Sequence, residues 1–121
     1  ISGGGTSIVT LLQEIFMSNA RIVLSTAGSQ DEARKLAHAL VERRLAACVN
    51  VVPRIESVYR WQGKVETAEE WLLIIKTQAE VFERVRDAIK ELHSYELPEC
   101  ITLEVSSGSE GYLNWIAENV G

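Results

Sequence analysis

Long apolar runs are missing from this 121-residue chain, and so is any excess of positive charge. No hydrophobic stretch approaches the roughly 20 residues a helix needs to span a bilayer, so no membrane span is expected. Twelve Lys and Arg stand against 17 Asp and Glu, a formal charge of −5. Arg43-Arg44 begins no longer basic run, so nucleic acid is not an expected partner. Cysteine is scarce: Cys48 and Cys100 form no Cys-x-x-Cys pair, and no secretory leader pattern is visible. That combination predicts two buried thiols rather than a disulfide framework, and a cytoplasmic location. Catalytic signatures are missing too. No Gly-rich phosphate loop joins a strand to a helix, and neither Gly-x-Ser-x-Gly nor His-Glu-x-x-His occurs. The chain is not expected to be an enzyme.

What is present is a core of ordinary size. Hydrophobic residues make up 46% and charged residues 24%, the mix of one globular domain rather than a disordered chain. The Gly-rich start and Met17 suggest that residues 1–20 are an N-terminal extension, appended to the native chain or disordered. Within it, Ile8 to Phe16 has the spacing of a short amphipathic helix. Residues 21–121 then form a single domain.

The apolar period switches several times along that domain. Arg21 to Thr26 centres on Ile22-Val23-Leu24 and predicts a strand buried on both faces. Ser29-Gln-Asp-Glu32 is a capping-box pattern, and Ala33, Leu36, Ala37, Leu40 and Val41 carry a helix over about 30–45. From Ala47 to Trp61 the pattern is β. Val49, Val51, Ile55, Tyr59 and Trp61 share one parity, and Pro53 predicts a bend or bulge in an edge strand. Gln62-Gly63 turns the chain into a return strand over Glu70 to Thr77, with fraying expected around Thr67 to Glu69. Thr77-Gln-Ala-Glu80 predicts a second capping box, and Val81, Val85, Ala88, Ile89 and Leu92 a second helix to about His93. A loop stiffened by Pro98, a strand over Cys100 to Val105 and a short helix around Tyr112 to Val120 complete the order.

This order, β-α-β-β-α-β plus a C-terminal helix, specifies an α+β ferredoxin-like sandwich with a long hairpin between the second and third strands. Two helices cover one face of such a sheet. Either Trp71, Leu73 and Ile75 or Leu72 and Ile74 would then remain on the other face, which predicts an interface between copies of the chain.

Five strings in order carry a family resemblance. They are Arg44-Leu-Ala-Ala-Cys-Val-Asn50, Ser57-Val-Tyr-Arg-Trp-Gln-Gly-Lys64, Ile75-Lys-Thr77, His93-Ser-Tyr-Glu-Leu-Pro-Glu99 and Gly111-Tyr-Leu-Asn-Trp115. Over roughly residues 21–120 the chain resembles the CutA divalent-cation-tolerance family. The resemblance implies a ferredoxin-like homotrimer associated with tolerance to divalent metals, copper especially, and an architecture shared with PII-type signalling proteins. Some relatives place a Cys where Ser25 stands and a second His where Leu92 stands, so two of their copper donors are absent here.

The loop from His93 to Glu99 is the expected seat of any chemistry. His93, Glu96 and Glu99 are the candidate ligands for a divalent metal ion, copper or zinc, completed by a neighbouring subunit. His93 could instead cap the end of the second helix. Tyr59, Trp61, Lys76 and Tyr95 are candidates for lining a small-ligand cleft between subunits, and an interface salt-bridge network is the competing role for the polar set. Trp61 also suits an interface anchor. His38, beside the apolar stripe of the first helix, reads as structural. The reading that follows is a homotrimer that binds metal ions or a small ligand between subunits. A signalling or scaffold trimer acting through a protein partner is the alternative.

Overall fold

A computed structural model describes residues 18–121. The expected extension and the amphipathic pattern of Ile8 to Phe16 lie almost wholly outside the described residues. Strand β1 spans Ala20–Ala27, helix α1 Gln30–Glu42, strand β2 Cys48–Trp61 and strand β3 Lys64–Gln78. A 3₁₀ turn at Ala79–Val81 leads into helix α2, Phe82–Leu92; strand β4, Ile101–Glu104, and helix α3, Glu110–Glu118, follow. The four strands form one antiparallel sheet in the order β2-β3-β1-β4. Cys48 and Cys100 are free thiols at opposite edges of it.

Two helices pack on one face. Leu36 and Leu40 from α1 and Val85 and Ile89 from α2 meet Val23, Leu73 and Ile75 of the central strands, all essentially inaccessible to water. Each such side chain contributes about 1.5–3 kcal/mol by leaving water. Ser25 shares this face; its hydroxyl is fully buried with no hydrogen-bond partner. Leu92 packs against the same core.

The opposite face carries Ile22, Leu24, Leu72 and Ile74, paired through β4 with Leu103 and Ile101. Helix α3 packs against β3 and β1, where Lys76 donates to the Tyr112 hydroxyl at 3.3 Å. It leaves Ile101 51% and Leu103 46% exposed.

Helix α1 ends sooner than its apolar period suggests. Arg44 takes a left-handed conformation at φ 58°. Arg44 N–H bonds to Val41 O, and Leu45 N–H to Leu40 O, the pairing of a Schellman cap. Arginine is strained there, since the position favours glycine. The side chain offsets that cost: Nε and Nη2 donate to Gly121 O at 2.9 Å and Glu118 O at 2.8 Å.

Two further expectations are corrected. Thr77 does not cap α2, because its buried hydroxyl donates to Leu45 O at 2.6 Å; Gln78 precedes the 3₁₀ turn without a side-chain cap. The hairpin is not frayed either: Glu56, Ser57 and Val58 pair in register with Glu69, Ala68 and Thr67. Gln62 and Gly63, both at positive φ, close it in a tight two-residue turn.

Pro53 marks a bulge, as expected, with an effect that parity alone hid. Val52 pairs with Leu72 and Ile55 with Glu70, so Pro53 and Arg54 oppose the single residue Trp71. Arg54 absorbs the kink at φ 56°. Val49 and Val51, paired with Ile75 and Leu73, point toward the helices. Beyond the bulge, Ile55, Tyr59 and Trp61 pair with Glu70, Glu66 and Lys64, and so point to the opposite face.

Candidate functional site

The β-hairpin continues past the end of β1, whose last residue, Ala27, pairs with Trp71. The loop after α2 folds back toward this overhang. Between them lies a cavity of about 670 Å³. Tyr59 and Trp61 from β2, Glu70 from β3, Thr26 from β1, and Tyr95, Glu96 and Glu99 from the loop line it.

His93 anchors the loop. Its Nε2 lies 2.6 Å from Thr26 O, and the Tyr95 N–H donates to Nδ1 at 3.0 Å. A carbonyl only accepts, so the proton sits on Nε2 and both ring nitrogens are satisfied. Ligating a metal through either nitrogen would mean giving up one of these bonds. The ring also packs against Tyr95, centroids 4.5 Å apart.

Glu32 supports the same corner. Read from sequence as a helix cap, it does sit where the Ser29 hydroxyl accepts its N–H at 3.1 Å. Its carboxylate, however, reaches across the fold: Oε2 accepts from Ser94 N–H at 3.0 Å, and Oε1 lies 3.8 Å from His93 Nδ1. Burial alone would raise its pKa, but hydrogen bonds from Ser94, with smaller contributions from the electrostatic field of His93 and from the Gly28 N–H, hold it below the ordinary carboxylate range. A depressed folded-state pKa stabilises the fold above the ordinary carboxylate range and is lost as pH falls through the folded value. Glu32→Gln is therefore expected to lower stability by about 1 kcal/mol at neutral pH, with the difference from the parent vanishing in acid. Urea denaturation across pH checks it.

Tyr95 lines the cavity and donates its hydroxyl to Glu70 Oε2 at 2.8 Å. Burial, then the bond to Glu70, push its phenol well above its usual range, so it remains a donor. Gly28 makes room for it, since a Cβ there would stand 2.9 Å from the Tyr95 hydroxyl. Glu70 is 7% exposed. Burial, and then the nearby Glu70, raise the Glu99 carboxyl. Burial does the same to the Cys100 thiol.

The structure therefore gathers Tyr59, Trp61, Tyr95, Glu96 and Glu99 around one cavity and places His93 just behind it. Lys76 does not line it within one chain; it lies at the far end of β3, beside Tyr112. His38 is exposed on α1. Among the described residues no three His, Cys, Asp or Glu side chains are arranged to hold a metal ion. Glu70 and Glu32 were not singled out as site residues from sequence. Glu70 follows directly on the stretch Thr67 to Glu69 where the sequence predicts fraying, and only tertiary pairing reveals its burial.

A sequence-family model described as "CutA1 divalent ion tolerance protein" matches residues 21–119. A Thermus thermophilus protein named "Divalent-cation tolerance protein CutA" is 47% identical over 83% of this chain and 97% of its own. "Protein CutA, chloroplastic" from Arabidopsis thaliana is 44% identical over 78% of this chain, which spans only 52% of that longer relative. The solved divalent cation tolerance protein from Thermus thermophilus superposes with a TM-score of 0.83 at 46% identity, over 84% of this chain and 99% of that one.

Proposed function

Because the chain belongs to the CutA1 divalent ion tolerance family, we propose that it is a homotrimer serving divalent metal tolerance, which binds metal ions or a small ligand in clefts between subunits. The cavity carries this reading: Glu70, Glu96 and Glu99 line it with Tyr59, Trp61 and Tyr95, and no Lys, Arg or His among the described residues does. A site of that charge favours cations. Glu96 and Glu99 supply hard oxygen donors, His93 stands behind them, and a neighbouring copy would complete the coordination. The role is binding rather than catalysis.

The apolar face of Ile22, Leu24, Leu72, Ile74, Ile101 and Leu103 supports self-association, since α3 covers only part of it. The strand order β2-β3-β1-β4 supports the ferredoxin-like assignment. Free thiols at opposite edges fit a reducing, cytoplasmic setting. No helix among the described residues is long and apolar enough to cross a membrane.

Calorimetric titration with Cu²⁺ and Zn²⁺ tests the metal part. Binding is expected to weaken about tenfold when Glu96 and Glu99 are both replaced by Gln. Heats indistinguishable from dilution up to about 1 mM metal would count against it.

A further inference from the structure

We propose that the natural small ligand of this cleft is a nitrogen-centred organic cation, an amine or ammonium group carried on an apolar body. The inference rests on reading the cavity as a binding cleft and names the chemistry of its occupant.

Glu70 is the first reason. The residue is 7% exposed, buried where the hairpin meets the loop after α2. Among the described residues its one side-chain hydrogen bond comes from a neutral donor, the Tyr95 hydroxyl at 2.8 Å. Among the described residues no Lys, Arg or His nitrogen forms an ion pair with it. A buried carboxylate without a counter-charge is unfavourable by several kcal/mol, and a cation arriving in the cavity would offset that cost. Glu99 lies close enough to be perturbed by Glu70, so the cleft concentrates negative charge that its own walls leave unmatched.

The walls and the volume decide what kind of cation fits. Tyr59 and Trp61, 43% and 41% exposed, face the cavity with Tyr95, and Leu97 and Pro98 add apolar surface. Aromatic faces attract organic cations by cation–π contact, most strongly when water is excluded. A strongly hydrated metal ion needs oxygen donors all round and gains little from Trp61. The 670 Å³ volume dwarfs the roughly 30 Å³ share of one water and suits a polyatomic ligand. Anions would meet three carboxylates.

Calorimetry on the full chain with tetramethylammonium, putrescine and spermidine tests the proposal, with Zn²⁺ titrated in parallel. At least one amine is expected to bind with Kd below about 1 mM. Glu70→Gln keeps the acceptor for Tyr95 but removes the charge, and should weaken binding at least about tenfold. Trp61→Leu, at an exposed position with little bearing on folding, should weaken it about threefold to tenfold. Thermal melts establish that both variants fold. Amine binding indifferent to both substitutions, or no amine binding up to about 10 mM, overturns the proposal. Zn²⁺ binding that depends on Glu96 and Glu99, without amine binding, overturns it while leaving the cleft reading intact. Absence of both removes the cleft reading as well. No amine binding together with a changed oligomeric mass in Glu70→Gln assigns the counter-charge to a neighbouring copy, and also overturns it.

Discussion

Replacing His93 by alanine is expected to lower the unfolding free energy by about 2–4 kcal/mol. Three losses combine. Thr26 O and Tyr95 N–H lose their partners on Nε2 and Nδ1, and each buried polar group left unsatisfied costs about 1–3 kcal/mol. The ring is fully buried, so its removal also leaves a void. Tyr95 loses the ring it packs against, and its hydrogen bond to Glu70 should loosen in turn. Urea denaturation with a midpoint shift at constant slope would measure the effect; a change below about 0.5 kcal/mol would show that the ring is not the anchor described. The consequence for function is direct. Weaker metal binding by His93→Ala reports either a lost ligand or a collapsed loop. Only a titration in which the loop stays folded, as with Glu96→Gln and Glu99→Gln, separates the two.

Ile74→Glu is expected to dissociate the proposed homotrimer into monomers. Ile74 pairs with Leu24 on the face opposite the helices and is half-buried within one chain. If a second copy covers that face, the substitution buries an unpaired carboxylate, at a cost of several kcal/mol per subunit. Val41→Glu is the control: Val41 is 41% exposed on α1, off this face. Sedimentation should show the parent and Val41→Glu at one mass and Ile74→Glu at a lower one. An unchanged mass for Ile74→Glu would mean that this face is not the interface.

Local chemistry made much of the fold legible in advance. Ile22-Val23-Leu24, the α1 stripe and the Leu72 to Ile75 run each fix their element with residues close in sequence. The failures share one cause. Thr77 looks like a cap until its hydroxyl is drawn to Leu45 O, 32 residues away. Arg44 looks helical until its side chain is seen to gather the carbonyls of Glu118 and Gly121. The candidate site divides the same way. Tyr59, Trp61, Tyr95, Glu96 and Glu99 were legible as chemistry-bearing residues, and the fold brings them to one cavity. That His93 is held by Thr26 O, 67 residues distant, and that Glu70 is the buried carboxylate, depend on pairings no local pattern encodes.

The Pro53–Arg54 bulge acts as a phase shifter between two reading frames of one strand. Before it, odd-numbered residues serve the core; after it, odd-numbered residues serve the cleft. Deleting Arg54 alone would let Pro53 oppose Trp71 one to one, and with Ile55 still paired to Glu70 it would leave Tyr59 and Trp61 on the cavity side while removing the left-handed kink. The extra residue is thus slack taken up locally: the core pairing before it and the cleft pairing after it keep the same partners with or without it.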